Sequence, residues 1–282
     1  MTEIIRDSAP AGEKVLSSGP VRETRTTTWW QRNNRVVLVW VLRVAFFVAF
    51  LGIWQLLSGR VLNSLYFSDP LSVLGQLREW ISNGTLFGHT WITIQEVFLG
   101  YLLGSFAGAV AGYVLAASRL VFDVVEPFMM ALYAIPNVAL APLFIVWIGI
   151  GMDMKIFLAA LTVFFLVFLN VAAAVRNVDE GLIDAVRLMG GSKKDIALKV
   201  VLPSSMGGLM TGLQAAIPFA LIGAVIGELV ASNQGLGYLV NDSAAQFNTA
   251  GVFGAVAVLA VLALVLKYVV GVSFERLNRW DN

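Results

Sequence analysis

A polar stretch from Asp184 to Pro203 (DAVRLMGGSKKDIALKVVLP) interrupts an otherwise apolar sequence. A stretch of this length can fold into a short helix, a turn and a second helix outside a bilayer. A membrane protein with one structured loop of this kind usually contacts a partner there, so the pattern indicates recognition rather than catalysis. The stretch places four cations among small residues and two adjacent glycines: Arg187, Lys193, Lys194 and Lys199.

The sequence lacks the motifs that would give this chain a catalytic centre of its own. It has no nucleotide-binding loop of the GxxxxGK[ST] type, no nucleophile elbow, no HExxH and no acidic cluster with metal-ligand spacing. The absence of cysteine excludes disulfides and thiolate chemistry, and the single histidine, His89, cannot build a metal cluster alone. We expect that this chain is not an enzyme and holds no metal or cofactor, and that ATP and Mg²⁺, if used, are bound by a partner.

Two acidic residues within apolar segments are candidate functional groups. An acid buried in a membrane is a functional candidate by default, although it can simply be hydrated or paired with a neighbour. Glu228 precedes a glycine-containing loop (ASNQGLGYL), which favours a functional role. For Glu96 both interpretations stay open.

Composition places the chain in the membrane. Of 282 residues, 58% are hydrophobic and 13% charged, against about 45–50% and about 25% in soluble domains. The net charge of +1 gives no reason to expect a nucleic-acid partner. Residues 1–34 are polar and lack apolar periodicity, so we predict a disordered cytoplasmic tail followed by a transmembrane domain over 35–282.

Six apolar segments are long enough to cross a bilayer, which needs about 20 residues each. The third contains Pro127, Pro136 and Pro142, and we expect it to be kinked or broken near Pro136, because proline removes a backbone donor. The sequence therefore predicts an all-α integral membrane protein. Its predicted spans are 36–57, 94–115, 121–150, 156–175, 209–230 and 252–272.

The distribution of lysine and arginine orients these spans. With the N-terminus inside, most cations fall on cytoplasmic segments, as the positive-inside rule requires. The outer segments hold only Arg60, Arg78 and Lys155, and the loop between the fifth and sixth spans has no basic residue. Both termini and the polar stretch are therefore predicted to be cytoplasmic.

Two further patterns concern helix packing. On the outer side, residues 68–85 combine Asp69-Pro70 with apolar residues at helical spacing, which predicts a short amphipathic surface helix. The second span carries a ridge of small residues that lets another backbone approach closely. Plain helix packing is the favoured interpretation of the ridge, with a sliding or dimer seam as the alternative. Its members are Gly100, Gly104, Gly108 and Gly112.

Residues 184–190 (DAVRLMG), followed after nine residues by 200–203 (VVLP), resemble the EAA loop of ABC importer permeases. The spacing matches throughout. Asp184 stands for Glu, Val186 for the second Ala and Val200 for Ile. The resemblance covers roughly residues 65 to 275.

A narrower resemblance is to the nitrate, sulfonate and taurine group of these permeases. It rests on 135–143 (IPNVALAPL) with Trp147 and Gly149, and on 235–239 (GLGYL) after Glu228.

Many members of that group have arginine where this chain has Tyr133 and Glu96. The loss of two cations weakens the case for a small anion and favours a pyrimidine-type vitamin precursor or another aromatic compound.

The resemblance implies the fold of a type I, binding-protein-dependent ABC importer in a bacterial inner membrane. Its implied partners are ABC ATPase subunits, an extracytoplasmic solute-binding protein, a second permease chain as a homodimer, and the bilayer. The loop 176–204 is expected to couple to the ATPase through a short helix starting near Asp184, and alternating access would follow. The implied coupling residues are Asp184, Ala185, Val186, Arg187, Leu188, Gly190, Gly191, Leu202 and Pro203. The expected translocation pathway residues are Tyr133, Pro136, Asn137, Trp147, Asn170 and Glu228.

Two other classes of membrane protein stay open at this point. A secondary transporter driven by an ion gradient usually shows an internal repeat, and none is clear in this sequence. An intramembrane enzyme needs a catalytic pair, yet His89 has no obvious partner in the sequence.

Overall fold

The computed structural model describes residues 29–60 and 66–277, and side chains over 35–60 and 66–272. These residues are almost entirely helical. The helices are α1 (Trp29–Leu57), α2 (Pro70–Ser82), α3 (Thr85–Ala116), α4 (Arg119–Ala134), α5 (Asn137–Ile148), α6 (Met152–Arg176), α7 (Glu180–Leu188), α8 (Lys193–Ile196), α9 (Leu202–Ser204), α10 (Met206–Val230), α11 (Leu236–Ala245) and α12 (Thr249–Leu277). A π-helical turn, Ala197–Val201, separates α8 from α9.

The chain divides into two units, Met1–Gly52 and Ile53–Asn282. In the first unit, α1 begins at Trp29, so the tail boundary predicted at residue 34 falls inside this helix. The predicted disorder of residues 1–28 lies outside the described residues. The second unit contains α2 to α12 and all the candidate site residues.

Within the described residues, five helices are long and apolar enough to span a membrane: α1, α3, α6, α10 and α12. The predicted third span is the helix pair α4 and α5, whose axes differ by 93°. The predicted break at Pro136 is confirmed. Ile135 is extended, with φ −73° and ψ 125°, because a residue before proline is disfavoured in the helical region.

Helix α6 packs between α3 and α10 at very short range. The glycine ridge of α3 lies against α6, where a Cβ at Gly108 would come within 2.6 Å of the Phe164 carbonyl oxygen. A second ridge, on α10, meets α6 from another direction, and a Cβ at Gly223 would come within 2.6 Å of the Ala159 Cα. Small residues on both neighbours thus allow backbone contact and bury the centre of α6.

The short amphipathic helix predicted for residues 68–85 is confirmed as α2. The Asp69 carboxylate accepts a 3.0 Å hydrogen bond from the Ser72 backbone N–H and caps the helix, with Pro70 in the first turn. Its hydrogen bond from the Ser72 hydroxyl lowers the pKa of Asp69. Val73 and Trp80 form the buried face.

Candidate functional site

The polar stretch folds into the predicted helix–turn–helix, but its first helix starts earlier than expected. Helix α7 begins at Glu180, because the Asp179 carboxylate caps it by accepting a 2.7 Å hydrogen bond from the Gly181 N–H. The expected start near Asp184 is therefore wrong. The candidate coupling residues Asp184, Ala185, Val186, Arg187 and Leu188 occupy the second half of the helix.

The two glycines form the turn that ends α7. Gly190 has φ 81°, a left-handed conformation that glycine adopts at little cost. The N–H of Gly191 donates to the Val186 carbonyl at 2.9 Å. A Cβ at Gly191 would overlap the Val186 side chain and carbonyl. The turn therefore requires glycine at both positions, for different reasons.

A capping box begins α8. The Ser192 hydroxyl accepts from the Asp195 N–H, and the Asp195 carboxylate accepts from the Ser192 N–H at 3.0 Å. Lys199 forms an ion pair with Asp195 at 2.7 Å, and this contact keeps the pKa of Asp195 well below its usual range. A Ser-x-x-Asp pattern is typical of such a box, so this cap could have been predicted from the sequence but was not. Leu202 and Pro203 follow the π-helical turn and form α9 with Ser204.

Ion pairs join this segment to the ends of the long helices. Arg119, at the start of α4, pairs with Glu180 at the start of α7. Arg176, at the end of α6, pairs with Asp123 of α4 at 2.9 Å and lies over the Phe122 ring at 4.7 Å. The first pair therefore connects α7 to α4, and Arg176 connects α4 to α6.

The two sides of the segment differ in exposure. At the end of α7, Leu188 is 90% exposed and Met189 is 85% exposed. On the other side, a cavity of about 930 Å³ separates the segment from α3, α4 and α6; Asp184 and Arg187 line it.

The candidate pathway residues take different positions around α6. Tyr133 lies 6.0 Å from Phe165, between ring centroids. Asn137 donates a 2.8 Å hydrogen bond to the Thr162 hydroxyl. These two contacts are one turn apart on α6.

The remaining pathway candidates lie farther apart. Pro136 is exposed at the break before α5, and Trp147 is exposed near the end of α5, where its ring contacts Phe144. Asn170 donates to the Leu166 carbonyl of its own helix at 2.8 Å. Two cavities, of about 930 Å³ beside α7 and about 680 Å³ beside the start of α6, are lined by other residues and by none of the pathway candidates.

Glu228 lies in a buried polar cluster instead of facing an open cavity. It is fully buried near the end of α10. Its Oε1 accepts a 2.6 Å hydrogen bond from the Thr93 hydroxyl of α3, and its Oε2 accepts one of 2.6 Å from the Gly237 N–H. Thr93 Oγ1 also accepts from the Leu236 N–H at 2.9 Å. The carboxylate and the hydroxyl together bind the first two residues of α11.

Lys155 completes the cluster. It was predicted to lie just before the fourth span, in an outer segment, but it lies on the first turn of α6. Its side chain is 4% exposed and forms an ion pair with the fully buried Glu96 of α3. Its Nζ also donates to the Ser232 hydroxyl at 3.0 Å. This ion pair supports the interpretation of Glu96 as a buried acid that is paired with a neighbour. A cavity of about 680 Å³ adjoins this pair.

His89 has a structural partner that the sequence did not show. Its Nδ1 accepts a 2.9 Å hydrogen bond from the Gly235 N–H, and its ring stacks on Tyr238 at 5.6 Å. The α10–α11 loop is therefore held by His89 and Thr93 of α3, by Lys155 of α6 and by Glu228.

A family model described as a binding-protein-dependent transport system inner membrane component matches residues 100–280. The chain belongs to this family. It is thus a permease component of an ABC importer, and the alternative of an ion-gradient-driven secondary transporter is not favoured.

Several curated proteins are similar to this permease over most of their length. A riboflavin transport system permease of Chloroflexus aurantiacus is 34% identical over 213 residues, covering 76% of this chain and 80% of that protein. A putative aliphatic sulfonates transport permease of Bacillus subtilis is 28% identical over 270 residues, or 95% and 98% of the two chains. A formylaminopyrimidine transport permease of Halalkalibacterium halodurans is 28% identical over 220 residues, or 78% and 87%.

Solved structures show the same fold. A methionine ABC transporter in an inward-facing conformation matches with TM-score 0.60 and 21% identity, covering 69% of this chain and 96% of that chain. An amino acid ABC transporter matches with TM-score 0.58 and 16% identity, covering 74% and 98%. The predicted type I importer permease fold is therefore confirmed.

Proposed function

We propose that this permease imports a small organic solute across a bacterial cytoplasmic membrane, driven by ATP hydrolysis in a separate ATPase that contacts α7. The complex contains two copies of this chain, two ATPase subunits and an extracytoplasmic solute-binding protein. ATP and Mg²⁺ are bound by the ATPase, and this chain contributes no catalytic group or cofactor.

The exposure of Leu188 and Met189 is the observation that carries this proposal. Large apolar side chains at the end of a short polar helix fit a groove on a partner, as other helix-in-groove contacts do. The Gly190-Gly191 turn and the capping box fix the direction of α7. The Arg119–Glu180 pair connects α7 to α4, and the Arg176–Asp123 pair connects α4 to α6. Closure of the ATPase pair moves these helices together as a rigid body.

In this proposal the solute is a heteroaromatic compound, such as a pyrimidine or a larger vitamin ring system. The names of the riboflavin and formylaminopyrimidine relatives support this class. The half-exposed Tyr133, beside Phe165, offers a ring surface for stacking. Glu96 does not bear on whether the solute is an anion, because its side chain is buried and forms an ion pair with Lys155.

An alkanesulfonate is the second candidate. The sulfonate permease of Bacillus subtilis is similar over 95% of this chain, which favours it. In either case we propose that the solute passes along α4 to α6, with Tyr133, Pro136, Asn137, Trp147 and Asn170 near its path. Glu228 acts in this pathway by holding the outer loop.

The test is uptake by proteoliposomes that contain the permease, its ATPase and its solute-binding protein. Radiolabelled aminopyrimidine, riboflavin and an alkanesulfonate are compared as substrates, with calorimetry on the binding protein alone. We expect ATP-dependent uptake of a heteroaromatic compound. Uptake of the sulfonate alone selects the second candidate, and uptake that persists without the ATPase contradicts the proposal.

A further inference from the structure

The turn between α11 and α12 contains an unusual phenylalanine. Among the described residues, Phe247 is the non-glycine residue with positive φ, at 55°. A Cβ is crowded in this conformation, and a bulky side chain there is an outlier. Glycine is the usual residue where a helix ends in this way. The local backbone would therefore favour glycine at position 247.

The surrounding contacts hold this conformation firmly. The Asn248 N–H donates to the Ser243 carbonyl at 2.8 Å, and its side-chain amide donates to Gln76 of α2 at 2.9 Å. The side-chain Oδ1 of Asn248 accepts a hydrogen bond from the Gly251 N–H at 3.0 Å. Asn248 thus joins α2 to the start of α12 and fixes the turn.

The phenyl ring buries little of its surface within the chain, since Phe247 is 73% exposed. Strained residues held by their surroundings are found at functional sites. We propose that Phe247 is an anchor residue on which the extracytoplasmic solute-binding protein docks. The inference rests on the proposed function, which supplies that partner. The distribution of lysine and arginine places the segment between the fifth and sixth spans, and with it this turn, on the outer side.

The setting of the ring favours a protein partner over lipid. Residues beside it are polar: Gln246 donates to Asp242 at 2.8 Å, and Asn248 and Gln76 form the contact described above. An exposed aromatic ring between polar neighbours resembles the anchor of a protein interface. The apolar surface of α12 differs, because its exposed side chains are contiguous aliphatics such as Val261, Leu264 and Val265.

The experiment uses the complete complex of permease and ATPase in nanodiscs, stimulated by the solute-binding protein that supports uptake by the wild type. Phe247→Gly and Phe247→Asn remove the ring and suit the left-handed backbone. We expect unchanged basal ATP hydrolysis, an equal or higher melting temperature, and at least a tenfold increase in the concentration of binding protein that gives half-maximal stimulation. Phe247→Trp should retain stimulation.

Phe87→Ala is the matched control, because Phe87 is an exposed phenylalanine at the start of α3; it should not change the half-maximal concentration. An unchanged half-maximal concentration in Phe247→Gly overturns the proposal. Two other results also overturn the proposal. A change in melting temperature that varies with the lipid would assign the ring to the membrane. Dissociation of the variant into single permease chains would assign the ring to the contact with a second copy. If no binding protein stimulates the wild type, the proposed function itself fails.

Discussion

Thr93 on α3 and Glu228 on α10 are joined by a 2.6 Å hydrogen bond, although 135 residues separate them in sequence. The same hydroxyl accepts from the Leu236 N–H. One threonine side chain therefore connects α3 and α10 to the first residue of α11. Glu228, which was predicted as a pathway residue, is thus buried and hydrogen-bonded to α3 and to the start of α11.

Thr93→Val should destabilise the permease strongly, although valine has almost the same shape as threonine. It removes the donor to Glu228 and the acceptor for Leu236, and each unsatisfied buried group costs about 1–3 kcal/mol. Hydrogen exchange should increase at residues 235–239. Thr211→Val is the control, since that exposed hydroxyl bonds only its own helix at Gly207. Equal effects of the two substitutions on thermal unfolding would contradict this account of the cluster.

Lys155→Met should cost about 3–5 kcal/mol, because it leaves the Glu96 carboxylate buried without its cation. The double variant Glu96→Gln with Lys155→Met removes both charges and should recover much of the loss. Thermal unfolding of the purified protein measures both. A single variant that is no less stable than the double variant would show that the pair is not coupled as described.

Gly104→Ala should destabilise the contact of α3 with α6. A Cβ at this position would overlap the Ala160 carbonyl oxygen, and forced overpacking costs about 1–3 kcal/mol. The matched substitution Gly75→Ala lies on α2 with open space around it. It should stabilise the protein by about 0.5–1 kcal/mol, as alanine does in a helix. Thermal melts of the two variants should therefore shift in opposite directions.

Asp195 should keep α8 capped over the whole physiological pH range. Its pKa is lowered by Lys199 and Ser192, so the stabilisation is present above the unfolded pKa and is lost as the pH falls through the folded value. Protection of residues 193–201 from hydrogen exchange, corrected for intrinsic rates, should be the same at pH 8 and pH 5.5. Asp195→Asn should lower protection equally at both. A larger effect of Asp195→Asn at pH 8 than at pH 5.5 would show that Asp195 titrates in this range.

The features that were predictable from sequence are local. The break at Pro136, the cap at Asp69 and the turn at Gly190 each depend on residues that are adjacent in the chain. The ridge on α10 could also have been predicted from the sequence, but it was not. Small residues recur there at intervals of four: Gly208, Gly212, Ala216 and Ala220.

The buried cluster was not predictable in this way. Lys155 and Glu96 meet only after α3 and α6 pack. The predicted fourth span began at residue 156, so Lys155 was counted outside the helix that carries it. The partner of His89 is a backbone N–H 146 residues away. Contacts of this kind depend on which helix faces converge, and one sequence does not contain that information.

The most direct test of the central claim measures ATP hydrolysis and uptake together in proteoliposomes of the complete complex. Leu188→Asp and Met189→Asp place a charge on the exposed end of α7, whereas Leu188→Met keeps its apolar surface. The account predicts that both aspartate variants insert normally, lose ATPase association or solute-stimulated hydrolysis at least tenfold, and abolish uptake, while Leu188→Met behaves as wild type. Full stimulated hydrolysis and uptake in Leu188→Asp would contradict it.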